Sequence, residues 1–177
     1  MLRQRLQEMT DVQDVSQHPM LLEGISRDYP HSIRIVESEH PIGRYTCVMH
    51  VFDFTEKPEY LAIADYGFGR VFAGADFARW LIANGHLVEV PSANAQTGDL
   101  VAFFKEGKFK HVGLLQPNGR VVSKWGIGHL YDHGLLEVPE SYGSEIRFFK
   151  GLSYDEAYDR FAQFAEQKGI PFETADS

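Results

Sequence analysis

The apolar positions of this chain come in three kinds of run, and their order predicts an architecture. Between Leu100 and Phe149 they form short blocks separated by turn residues. Leu100–Phe104, Val112–Leu115, Val121–Trp125 and Ile146–Phe149 read as strands. The link Pro117-Asn-Gly119 is short enough to require antiparallel pairing of the strands beside it. Upstream, Val71–Asn84 carries Phe77, Trp80, Leu81 and Asn84 at helical spacing and stops at Asn84-Gly85. Downstream, Ser153 and Glu156 make a Ser-x-x-Glu capping box that opens a helix. Its apolar stripe is Ala157, Phe161, Phe164 and Ala165, and Gly169 with Pro171 ends it.

The run Arg44–Phe54 is short, so a helix and a buried strand compete for it. Thr46 as N-cap and the polar tail toward Pro58 favour the helix. Residues 55–69, rich in Pro, Gly and Asp, read as loop. Residues 1–20 are polar, with a short helix at the start. Pro19, Pro30 and Pro41 then punctuate a mostly extended stretch with a short strand at Ser32–Val36. Leu87–Val90 is another short strand. The expected division is an extended N-terminal lead-in over 1–42 and one domain over 43–177. Helices and strands segregate along the chain, which predicts an α+β fold, an antiparallel sheet with helices packed on it.

Composition narrows the function classes. The 177 residues carry a net charge of −8, which argues against nucleic acid and against an anionic membrane surface as partners. No apolar run reaches bilayer length. The first ten residues are charged and lack the apolar core of a secretion signal. The single cysteine cannot close an internal disulfide, so a cytoplasmic location is expected.

That cysteine, Cys47, falls where the Arg44–Phe54 helix begins. A helix N-terminus lowers a thiol pKa through its free N–H groups and dipole. The plainer role for such a residue is a small buried hydrophobe. A nucleophilic thiol needs a base, and His111, expected to open a core strand after the basic Lys105–Lys110 loop, sits at a sheet rim. Strand register decides which third group faces His111. If Pro117–Gly119 is a three-residue loop, Gln116 pairs with Arg120, and Ser123 and Trp125 share the face of His111. If Asn118-Gly119 is a two-residue turn, Lys124 takes that face. The first register is preferred because it sets a polar serine beside the imidazole. A metal site from His111, His129, His133 and Asp132 is the alternative chemistry. It is disfavoured by the glycines around His129 and the lack of a second cysteine. No cofactor is expected.

Together Cys47, Gly98-Asp-Leu-Val-Ala-Phe-Phe104, His111-Val-Gly-Leu114 and Asn118-Gly119 resemble the papain-like cysteine peptidases of the NlpC type, which also include the CHAP amidases. The resemblance covers roughly residues 43–126. It implies a papain-like fold in which Cys47 attacks an amide carbon, His111 acts as base and then acid, and Ser123 stands at the third, ring-orienting position. Tyr45, Trp125 and His129 are the side chains expected to line the substrate, a peptide or other amide. Two positions depart from the pattern. Thr46-Cys47-Val48-Met49 replaces Asp-Cys-Ser-Gly, and Ser123 replaces the usual His, Asn or Gln. The alternatives that remain open are a dyad without a third residue, His129 in its place, and an inactive module that binds a peptide or protein in the same cleft.

Overall fold

Seven antiparallel strands make one sheet among the described residues, 1–64 and 71–169 of a computed structural model. They are β1 (Arg34–Val36), β2 (Glu89–Val90), β3 (Leu100–Lys105), β4 (Lys108–Leu115), β5 (Val121–Lys124), β6 (Leu130–His133) and β7 (Glu145–Phe149). Their spatial order is β1-β6-β5-β4-β3-β7-β2. Six α-helices flank the sheet in this part of the chain: α1 (Leu2–Thr10), α2 (His18–Asp28), α3 (Cys47–Val51), α4 (Pro58–Ala64), α5 (Ala75–Ala83) and α6 (Tyr154–Gln167). The class is α+β. None of these helices is long and apolar enough to cross a membrane.

β3 shows why the sheet is buried on both faces. Leu100, Ala102 and Phe104 point to one side and pack with Phe54, Phe77, Phe161 and the rest of the α3–α6 core. Val101 and Phe103 point to the other side and meet Leu6, Met9, Leu22 and Ile25 of α1 and α2. A strand between two apolar layers has no polar face, so it reads as an unbroken apolar run.

That second layer corrects the expectation of an extended lead-in. Leu2, Leu6 and Met9 recur at helical spacing, and so do Leu22 and Ile25. The two helices close a core of their own over Trp125, Tyr131 and Val138. Residues 58–64 of the expected 55–69 loop form α4, with Tyr60 and Ile63 as its buried face; residues 65–69 lie outside the described part, as does Pro171. α5 starts at Ala75, four residues later than expected. The expected strands do not include β6. Three of its four residues are buried, and the fourth, Asp132, pairs with Arg120 and Arg34. The capping box at Ser153 is formed as expected.

The register between β4 and β5 is the three-residue one. Gln116 N–H donates to the Arg120 carbonyl at 2.7 Å, and Leu115 faces Val121. Asn118 and Gly119 take positive φ, 62° and 71°, which Asn and Gly tolerate best. Before that, β4 holds a bulge. Phe103 faces His111 and Phe104 faces Phe109, so Lys110 is an extra residue on β4. The bulge lets Phe109 join the α3–α6 core while His111 turns to the other face. His111 therefore lies inside an eight-residue strand, not at its opening.

Gly143 closes the turn that follows Glu140–Tyr142, with φ 84° and ψ 175°, a region open to glycine alone. A Cβ there would overlap the Phe104 carbonyl. Gly143→Ala is expected to cost about 2–4 kcal/mol in urea unfolding, because strain and overlap add. A change within a few tenths of a kcal/mol of zero would show that the turn is not fixed by this contact.

Candidate functional site

Cys47 is positioned by its cap. Thr46 takes an extended conformation, its Oγ1 accepts the Met49 N–H at 3.0 Å, and the same hydroxyl donates to the Ala73 carbonyl at 2.6 Å. One side chain thus caps the start of α3 and ties it to the strap before α5. Ala73 N–H in turn donates to the Tyr60 hydroxyl at 2.9 Å, which fixes the strap to α4.

α3 lies on β4 and β5 where the two strands part. Their pairing runs through Leu115–Val121 and Leu114–Val122, and the backbone of Val112 lies beside the Cys47 thiol and favours its ionised form. The N–H groups of Val48 and of Cys47 itself also address the sulfur. Even so, the thiol pKa is raised. Burial outweighs the three amides and the nearby Lys124 ammonium, so the helix start alone does not make a thiolate.

His111 is 1% exposed. Its ring stacks on Tyr142 at 4.0 Å between centroids, 12° from parallel, and lies against Phe103 at 5.7 Å. Its Nε2 is buried and has no hydrogen-bond partner among the described residues. Burial, and behind it the neighbouring His133 and His50, holds the imidazole well below its usual pKa. Cys47 and His111 line one cleft of about 630 Å³ with Tyr45 and Tyr142. At neutral pH the pair rests as thiol and neutral imidazole, not as an ion pair.

Of the other residues expected here, Tyr45 lines the cleft and anchors its hydroxyl to Ser38 Oγ at 2.5 Å. Ser123, Trp125 and His129 do not line it. Ser123 shares the face of His111, as the register requires, but its hydroxyl serves His133: Oγ to Nε2 is 2.7 Å. It also accepts the Trp125 indole N–H at 3.0 Å. The strand offset sets Ser123 opposite Gly113 and diagonal to His133, with His111 two residues further along. Trp125 is fully buried, stacked on Tyr131 at 4.2 Å, because α1 and α2 cover that face. His129 turns away to the N-terminal segment, where Nε2 meets the Val15 carbonyl at 3.0 Å. His129, His133 and Asp132 have separate partners, and the described residues hold no group of three or more ligand-type side chains suited to a metal.

Two residues of the site lie outside the expected set. Tyr142 stacks on His111, and the Gly126 backbone lies near its hydroxyl. α1 holds the Tyr142 turn from outside. The Arg3 guanidinium donates to the carbonyls of Val138, Pro139 and Gly143, and Gln7 Oε1 accepts the Ser141 N–H at 3.0 Å. Lys124 faces the α3 side, fully buried, with Nζ donating to the Gly126 carbonyl at 2.7 Å. The lysine set aside by the preferred register therefore lies on the α3 side of β5, where its charge favours the ionised thiol. Elsewhere in the cleft the lining is apolar, with Ile42, Met49, Leu61, Phe72 and Ile127, while Arg44 and Lys110 supply charge. No protein-family model, curated protein or solved structure matches this chain.

The His133 cluster sets an acid limit on the fold. Trp125 N–H donates to Ser123 and Ser123 to His133 Nε2, while His133 Nδ1 donates to the Gly134 carbonyl at 2.8 Å. This wiring suits a neutral ring, and burial pushes the His133 pKa down to about 4. A histidine depressed in the folded state binds its proton more readily when unfolded. Its contribution is whole above the unfolded value and is lost as pH falls through about 6.5 toward about 4. The loss amounts to about 2 kcal/mol by about pH 5, with His111 and His50 adding in the same direction. Melting curves are expected to shift down over this range, and His133→Gln to flatten the shift. A variant as acid-sensitive as the wild type would refute the assignment.

Proposed function

We propose that this protein is a cysteine hydrolase or acyl transferase of papain-like NlpC/CHAP type, acting on an amide through Cys47 and His111. The observation that carries this reading is one cleft shared by the chain's single thiol, addressed by three backbone amides, and by a buried imidazole whose Nε2 is unpartnered. The departure at Ser123 then has a physical answer. Tyr142 orients the ring by stacking, so Ser123 is free to serve His133.

In this scheme the substrate draws Sγ and Nε2 together, since the hydrogen bonds of such sites tighten on binding. His111 Nε2 removes the thiol proton as Sγ bonds to the carbonyl carbon. The oxyanion meets backbone N–H groups at the start of α3. The C–N bond then breaks, and the imidazolium gives its proton to the departing amine. Water, deprotonated by the same imidazole, cleaves the thioester to release the acid and restore the thiol. An amine in place of water gives transfer. The apolar lining favours an amide with an apolar acyl group, and Arg44 and Lys110 favour an anionic remainder.

Acyl amides of graded acyl length, with and without a carboxylate, provide the test. Intact-mass spectra are expected to trap an acyl adduct on Cys47. Cys47→Ser and His111→Gln should each lose about a thousandfold or more in kcat/KM with circular dichroism unchanged. Because His111 is held below its usual pKa, it stays a competent base well below pH of about 6.5, and the acid limb of kcat/KM belongs there. If no substrate gives an adduct or turnover and the cleft still binds peptides, the protein is a binding module of this architecture.

A further inference from the structure

The hydrolysis scheme leaves one buried ionisable group without a task. Lys124 is 0% exposed. Its Nζ has the Gly126 carbonyl at 2.7 Å and the Tyr45 ring centroid at 5.1 Å, and among the described residues it forms no ion pair with a carboxylate. A carbonyl and an aromatic face solvate an ammonium but do not neutralise it. Burying a cation without an anion is costly, and folded proteins pair such groups or neutralise them. The two residues that hold Nζ, Tyr45 and Gly126, line the same cleft as Cys47, so the acid on which the Lys124 charge acts is that thiol.

We infer that Lys124 is the resident counter-cation of the Cys47 thiolate, a positioning residue that acts on the nucleophile from behind the cleft. The inference rests on the reading of Cys47 as nucleophile. The neighbouring groups leave this role to Lys124. From α3, His50 is half-buried with a buried, unpartnered Nε2, and desolvation holds its pKa down, with Asp53 beyond it. From β4, His111 is neutral until it takes the thiol proton. From the turn over the cleft, the Tyr142 phenol is held protonated by burial. Tyr45 offers its ring face. Lys124 itself is pushed down by burial to about 8, so it is still chiefly an ammonium at neutral pH. When the thiol ionises, the Lys124 charge gains its partner. The uncompensated cation of the resting state thus favours the reactive form of the site.

The experiment follows iodoacetamide alkylation of Cys47 by mass spectrometry across a neutral-to-alkaline pH series. Lys124→Met keeps the length of the stem and removes the charge. Its alkylation midpoint is expected to rise by about one pH unit or more, with about tenfold slower labelling at neutral pH. A residue that only packs would change the melting temperature and leave the midpoint in place, and a superimposable profile overturns the inference. Should Lys124→Met not fold, the reciprocal measurement decides. NMR titration of the Lys124 Cε signal is expected to give a lower pKa in Cys47→Ala than in the wild type, and equal values overturn the inference. The two readings fail differently: wild-type turnover with an unchanged Lys124→Met profile removes only the lysine, whereas a shifted profile without any turnover removes only the hydrolase.

Discussion

The site depends on the place where β4 and β5 stop pairing. An antiparallel ladder consumes every second N–H of a strand, and beyond Leu114 the next inward-facing N–H, that of Val112, has no β5 carbonyl. Left bare inside the protein it would be a costly orphan. The Cys47 thiol, at the first residue of α3, lies beside it and is the group whose ionised form it favours. The parting also lets groups from the two faces of the sheet reach one cleft. Cys47 arrives with the α3–α6 layer, while His111 belongs to the face covered by α1 and α2. In a fully paired sheet, β4 and β5 would keep them apart.

The geometry of His111 is then set by residues distant in sequence. Its ring stacks on Tyr142, whose hydroxyl lies near the Gly126 backbone, and Lys124 holds Gly126 through its carbonyl. From outside, Arg3 and Gln7 of α1 fasten the backbone of the same turn. The N-terminal helices are therefore part of what keeps the imidazole in place, as well as a cover for Trp125. A polar third residue would orient the ring by one directional hydrogen bond. Stacking fixes its plane while leaving Nε2 unengaged, so the nitrogen remains free for a thiol proton.

What could be read from the sequence was what local chemistry dictates. Thr46 as cap, the Ser153–Glu156 box and the Asn118-Gly119 turn are decided by a few neighbouring residues, and the structure has all three. The turn also settled the register, and with it the face of Ser123. Local pattern fails where distant residues decide. The Lys110 bulge depends on which layer claims Phe109, and nothing near Lys110 announces it. α1 is polar on average, and its stripe of Leu2, Leu6 and Met9 gains meaning only once an apolar sheet face awaits it. Trp125 reads as a cleft wall until that layer covers it. Tyr142, which no motif marks, reaches the site because Gly143 permits a backbone that other residues avoid.

The register choice also shows how a correct geometric step can carry a wrong chemical premise. Ser123 was preferred because that register sets a polar serine, not a lysine, beside the imidazole, yet the strand that turns Ser123 one way must turn Lys124 the other. On the α3 side a buried cation near a thiol favours its ionised form. Burial therefore acts in two senses in this site. It lowers the pKa of His50, His111 and His133, removing competing positive charge, and in the proposed scheme it leaves Lys124 as the cation that favours the thiolate. His111 on β4 and Lys124 on β5 serve opposite faces of one strand pair, the first as a neutral base and the second as a charge. The helix start, which by itself does not overcome burial of the thiol, works in that scheme together with the lysine.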